Sequence, residues 1–200
     1  MMEKRAITSS LLDENISKRW SCRAFAPDKR ISMEQIISMC EAGRWGPSCY
    51  GDEPWRFIIF DKYSDETAFN KIFNCLGEWN QRWAKNVPLL FLSLADSIFR
   101  KTGKPNRWAQ YDTGSAVENI CLQAVSLGLM AHPMGGFDKE KVMSEFKIPD
   151  NFTPMSIIAI GYQAEPDILE DEFKTLEIKE RFRRPIGETF FLSEFGKKIL

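Results

Sequence analysis

Arg19, Ser21 and Arg23 alternate with Trp20, Cys22 and Ala24 in the stretch RWSCRAF. In an extended segment that period of two puts two guanidinium forks and a hydroxyl on one side. Such a trio suits a phosphate, each charge-assisted bond contributing roughly 1.5 to 3 kcal/mol. The same arginines, lying just after a helical pattern, could instead be solvated or bind the last helix carbonyls. A second basic cluster, Arg181, Arg183 and Arg184, stands before Pro185. Between the two lie Pro133, Met134, Gly135 and Gly136, where paired glycines let backbone N–H groups approach a flat or anionic ligand, or simply make a tight turn. Pro47, Ser48 and Cys49 sit in a loop made irregular by Gly46, Pro47, Gly51 and Pro54. Asn80 and Gln81 offer amides to a polar ring edge or to neighbouring backbone. His132 is the one histidine, which rules out any site needing two; beside a strand it reads as a structural hydrogen-bonder.

These groups need a scaffold, and the apolar pattern supplies one. Ala116, Val117, Ile120, Cys121, Ala124 and Val125 recur at intervals of three and four, the stripe of a core helix closed by Gly128 in a left-handed conformation. Leu129, Met130 and Ala131 begin a strand that runs into the glycine pair. The spacing predicts a helix over 7–19 capped by Ser9 or Ser10, and a second helix starting at Ser32 and ending at Gly43. Further helices are expected over 65–76 and 139–146. Buried strands are expected over 57–60, 87–94 and 155–161. Asn80 and Gln81 fall in a turn, residues 98–109 in a surface excursion, and the acidic 165–180 in a surface linker. Imperfect alternation of helices and strands gives an α+β class with one mixed sheet flanked by helices.

Size and composition bound the function. A chain of 200 residues with 44% apolar and 28% charged content forms one ordinary globular domain. The net charge of -1 points to no nucleic acid. Five cysteines, an odd number without C-x-x-C pairing, argue for reduced thiols in a cytoplasmic compartment. No segment approaches the roughly 20 apolar residues of a membrane span. A Walker loop and a G-x-G-x-x-G after the first strand are both missing. The tail TFFLSEF is too apolar to hang free in water.

Taken together and in order, these blocks resemble the FMN-dependent nitroreductase family from Ile16 to Pro185, spacing included. The resemblance implies a nitroreductase-like fold in an intertwined homodimer, with FMN in a groove at the subunit interface. It implies that Arg19, Ser21, Arg23 and the backbone of Trp20 hold the ribityl and phosphate, completed by Arg181 and Arg183. Pro133, Met134, Gly135 and Gly136 would lie along the isoalloxazine, the Gly135 N–H facing N5. Pro47, Ser48 and Cys49 would reach the flavin from the other subunit, and residues 180–200 would form an extension packing on that partner. The implied activity is ping-pong hydride transfer from NADH or NADPH to a nitroaromatic, a quinone or a similar small-molecule acceptor, with no acid-base side chain. Gly51 and Glu53 stand where family members often carry Asn and Gln, and Gly135 where some carry a glutamate. A specialised flavoenzyme of the same fold is one alternative, reducing enones, removing halogen or consuming flavin. A flavin-binding regulatory module without turnover is a second, and an interaction protein with no cofactor a third.

Overall fold

The computed structural model describes residues 2–200. In chain order it contains α1 (Glu14–Lys18), α2 (Met33–Arg44), β1 (Trp55–Asp61), α3 (Glu66–Phe73), α4 (Glu78–Ala84) and β2 (Leu89–Asp96). There follow α5 (Ala109–Ser126), β3 (Met130–Met134), α6 (Lys139–Glu145), β4 (Phe152–Gly161) and α7 (Asp171–Ile178).

One four-stranded sheet in the order β1-β2-β4-β3 organises these elements. Every neighbouring pair is antiparallel, so the expected mixed sheet is corrected to an antiparallel one. Helix-strand alternation misled here: parallel neighbours need a helical crossover, but a helical crossover does not oblige the strands to be parallel.

The central strand β2 is buried along nearly its whole length and feeds two cores by simple alternation. Leu89 and Phe91 join Ile158, Ile160, Ala131, Ile36, Met39, Ile120, Cys121 and Ala124 on the face covered by α2 and α5. Leu90, Leu92 and Leu94 join Ile157, Ala159, Phe69, Ile72, Trp83, Val142 and Phe173 on the opposite face, under α3, α4, α6 and α7. Gly43 lets α2 approach α5, since a Cβ there would come within 2.9 Å of the Ile120 side chain.

The core helix forms as its stripe requires, and Gly128 adopts the expected left-handed conformation at φ +74. Ser32 and Gln35 form a reciprocal capping box at the start of α2. The first helix is much shorter than the expected 7–19. Asp13 captures its N-terminus by accepting from the Asn15 and Ile16 N–H groups. Thr8 and Ser10 bond to each other, and Ile7 and Leu11 stand fully exposed. Those apolar residues have no surface in their own chain to cover, so burial cannot extend the helix. The acidic stretch 165–180 is likewise not a linker: a 3-10 turn at Pro166–Ile168 leads into α7, whose Phe173 and Glu177, four residues apart, are both buried. The tail closes on itself through a bridge between Phe191 and Lys198, with Phe190, Phe195 and Leu200 exposed.

Candidate functional site

The segment 19–24 has the alternation its sequence announces. Trp20, Cys22 and Ala24 are buried, whereas Arg19, Ser21 and Arg23 remain partly accessible on the other side. Three anchors fix it. Ala24 and Ala26 pair by backbone bonds with Ala164 and Tyr162 just beyond β4. His132 of β3 donates from Nδ1 to the Cys22 carbonyl at 2.8 Å. Glu177 of α7 accepts the N–H groups of Arg23 and Ala24 at 2.9 and 3.1 Å on one carboxylate oxygen.

The two basic clusters converge. Arg181 donates from one guanidinium nitrogen to the carbonyls of Lys4 and Ser17, each at 2.7 Å. Burial, and then the like charges of Arg19 and Arg183, lower its proton affinity. Among the described residues, Arg19 has a single ion pair, a 3.4 Å contact with the exposed Glu118. Arg23 Nε is buried with no hydrogen-bond partner, a state it shares among the described residues with Thr113 Oγ1. In a chain of net charge -1 this is a local concentration of positive charge, and an orphaned guanidinium N–H is the donor a phosphate oxygen would satisfy.

His132 lies against the same group. It stacks on Trp83 with centroids 4.6 Å apart. Burial lowers its imidazole to about 4, with Arg23 and Arg19 adding in the same direction. Because the Cys22 carbonyl can only accept, Nδ1 carries the proton. The neutral ring is common to both folded and unfolded chains above the ordinary histidine pKa of about 6.5. As pH falls from there towards 4 the unfolded chain takes up the proton first and stability is lost, by about 3 kcal/mol at the limit. His132→Asn retains an N–H donor for Cys22 but no titration. Urea unfolding of both proteins between pH 7 and 4 should therefore show the variant losing less stability; burial raises the Glu177 carboxyl, an effect of opposite sign that cancels in the comparison. Parallel pH profiles would overturn this assignment.

Pro133 and Met134 belong to β3, paired with Ile158 and Ile157, and the Met134 side chain is buried in the core. Gly135 and Gly136 are exposed at the strand's end. A Cβ on Gly135 would meet nothing within 4 Å, so its surface is open for a planar ligand. Gly136 is held from behind: its carbonyl accepts from the Gly77 N–H and from the Asn80 amide, both at 3.0 Å. Asn80 and Gln81 stand in α4, not in the expected turn. The Asn80 carbonyl accepts from the Trp83 indole, and Gln81 donates to the Leu76 carbonyl at 2.6 Å. The amide donors are thus committed to backbone, and Asn80 bears on the glycine bend by fixing it.

The loop carrying Pro47, Ser48 and Cys49 is built around two buried carboxylates. Asp112, at the start of α5, accepts the Cys49 N–H at 2.9 Å. Asp52 accepts the Arg100 N–H at 3.0 Å and the Asn106 amide at 3.3 Å. Ser48 Oγ accepts the Glu53 N–H at 2.8 Å. Tyr50 and Glu53 are left-handed at φ 55 and 52, a strain of roughly 1 to 3 kcal/mol each. The result displays Tyr50 and Trp45 to solvent. Among the described residues no hydrogen bond or ion pair joins this loop to Arg19, Arg23, Gly135 or Arg181.

Glu177, Lys4 and Asp112 are the residues that sequence reasoning missed. The signal for Glu177 was faint but present, a carboxylate one helical turn after Phe173.

Comparison with known proteins places this geometry in a family. The Nitroreductase family model matches residues 16–76 and 71–162. A protein of Methanothermobacter thermautotrophicus named "Putative NADH dehydrogenase/NAD(P)H nitroreductase" is 31% identical over 166 residues, covering 80% of this chain and 81% of its own. A crystal structure of an oxidoreductase containing FMN superposes with a TM-score of 0.89 at 30% identity, over 99% of this chain and 100% of that one. An FMN-dependent nitroreductase of Clostridium difficile shares the fold, with a TM-score of 0.66 at 23% identity over 89% and 96% of the two chains. The chain belongs to the Nitroreductase family.

Proposed function

We propose that the protein is an FMN-dependent oxidoreductase that transfers hydride from NADH or NADPH to nitroaromatics, quinones or similar small acceptors in ping-pong order. The observation that carries this reading is the meeting of Arg19 with Arg23 beside His132 and with Arg181 and Arg183 on its other side, with Arg23 Nε buried and unpartnered. Arg19, Arg23 and Arg183 hold the phosphate, Ser21 and the Trp20 backbone follow the ribityl chain, and Arg181 braces the arm that carries them. The open bend at Gly135 and Gly136 takes the ring, presenting backbone N–H groups where negative charge grows during reduction. Bound FMN supplies the redox chemistry itself, receiving and returning hydride at N5. No side chain acts as acid or base.

The site is completed by a second subunit. Ile7, Leu11, Trp45, Tyr50, Phe182 and Phe195 are exposed to more than 70%, an apolar display that a homodimer would cover. The Pro47–Cys49 loop, remote in bonding from its own arginines, then serves the partner's flavin, and residues 180–200 pack across the interface. A cytoplasmic location agrees with five free cysteines, and no helix among the described residues is long and apolar enough to cross a membrane. The strained, exposed Tyr50 and Glu53 favour a specialised acceptor as a second reading. A panel of nitroaromatics, quinones, enones and halogenated aromatics oxidising the reduced protein distinguishes the two.

The decisive measurement is the visible spectrum of the purified protein, before and after anaerobic addition of NADH or NADPH. A flavin spectrum that bleaches on addition is expected. A colourless protein that acquires no colour when FMN is supplied would sink the reading.

A further inference from the structure

Glu177 is fully buried, yet nothing in the hydride-transfer reading uses it. One of its carboxylate oxygens accepts from Arg23 N and Ala24 N at 2.9 and 3.1 Å, and the other accepts from Arg23 N at 3.0 Å. Its own carbonyl accepts the Lys4 ammonium at 2.7 Å. Burying a carboxylate is costly, and the cheapest compensation is a direct ion pair with the nearest guanidinium. Arg23 is that neighbour. The carboxylate nonetheless binds the Arg23 backbone and leaves Arg23 Nε without a partner. A purely structural ion pair would have consumed the guanidinium; this arrangement fixes the chain that carries it and keeps its donors free.

The placement of Glu177 adds to the point. Four residues on, Arg181 binds the carbonyls of Lys4 and Ser17. The short stretch from Glu177 to Arg181 therefore grips residues 4, 17, 23 and 24, and sets both basic clusters against one another.

We propose that Glu177 is a positioning residue that holds the Arg19–Arg23 arm with its guanidiniums turned outward to a phosphate monoester, and so makes the site prefer FMN over riboflavin. The proposal rests on the flavin reading above. Its particular content is that removing the carboxylate weakens recognition of the phosphate and leaves recognition of the ring unchanged, because the glycine bend is secured separately, through the Gly136 carbonyl, by Gly77 and Asn80.

Dissociation constants for FMN and for riboflavin, measured by flavin fluorescence on flavin-stripped protein, give the test. Glu177→Gln keeps the shape but turns an N–H donor or a weaker acceptor towards the Arg23 and Ala24 N–H groups. The ratio of FMN to riboflavin affinity is expected to fall at least 10-fold, with riboflavin affinity changed by less than about 3-fold, a range corresponding to under 1 kcal/mol. Equal weakening of both flavins, or an unchanged ratio, would overturn the proposal by reducing Glu177 to a structural part. If Glu177→Gln does not fold, Glu177→Asp retains the charge and withdraws it by one methylene, and the same fall in ratio is required of it. Wild-type protein that binds neither flavin refutes the flavin reading itself, whereas wild-type preference for FMN with an unchanged ratio in the variants refutes only the role of Glu177.

Discussion

Replacing Arg19 and Arg23 together by alanine is expected to raise the dissociation constant for FMN by about 10²- to 10⁴-fold, so that the protein purifies without flavin. Each guanidinium lost removes a charge-assisted contact of roughly 1.5 to 3 kcal/mol, and two give about 3 to 6 kcal/mol. The same change should cost the fold little. Arg19 gives up a 3.4 Å contact with a half-exposed Glu118, and such pairs are worth at most about 1 kcal/mol. Arg23 Nε gives up no bond. Arg19 leaves the neighbourhood of Arg181, and both arginines leave that of His132, which relieves repulsion and offsets the attraction that Arg23 exerts on the buried Glu177 carboxylate. The signature is therefore a loss of cofactor with an unfolding transition close to that of the flavin-free wild type. Equilibrium titration with FMN and urea unfolding of the stripped proteins measure both halves. Full flavin content in the purified double variant would show that the phosphate lies elsewhere.

How much of this was legible in the sequence depends on which force sets each element. The core helix, its Gly128 closure, the Ser32 capping box and the two-residue alternation of 19–24 were all readable. In each, a local pattern and the burial of one face ask for the same conformation. The 7–19 helix failed because Ile7 and Leu11 have no surface to cover within the chain, leaving a local cap at Asp13 to decide the start. The sense of the sheet was hidden because strand direction is fixed by which edges pair, and no periodicity records that. Residues 165–180 looked like a linker because α7 is docked by one aromatic and one buried carboxylate, too few apolar positions to make a stripe. What Glu177 binds was hidden for a related reason: its partners, the Arg23 and Ala24 N–H groups, lie some 150 residues away in sequence and are peptide groups that every residue possesses. The arginines could be nominated from the sequence, whereas what aims them could be found only in three dimensions.

Phe173→Ala should lower the stability of the fold by about 3 to 5 kcal/mol, the usual cost of emptying a fully buried aromatic site. Its ring packs 4.8 Å from Trp79 and lies 4.8 Å beneath the Arg82 guanidinium, and it belongs to the core on the α7 side of the sheet. The visible polar contacts of α7 with α4 cannot replace it. Arg82 reaches Glu170 and Glu172 at 2.7 and 3.0 Å, but all three side chains are over 40% exposed, so solvent screens the pairs and Arg82→Ala is expected to shift the unfolding midpoint far less than Phe173→Ala. A helix of eight residues has no stability of its own in water. Loosening it also releases Glu177 and Arg181 from residues 4, 17, 23 and 24, so the Phe173 variant should, like Glu177→Gln, lose more affinity for FMN than for riboflavin, and should lose stability besides. Excess FMN should then restore part of the deficit, about 2.7 kcal/mol at a concentration 100 times its dissociation constant. Urea unfolding of wild type, Phe173→Ala and Arg82→Ala, each with and without saturating FMN, tests the order. An unchanged midpoint for Phe173→Ala, or a larger loss for Arg82→Ala, would mean that surface charge and not the buried ring holds the helix on which both basic clusters depend.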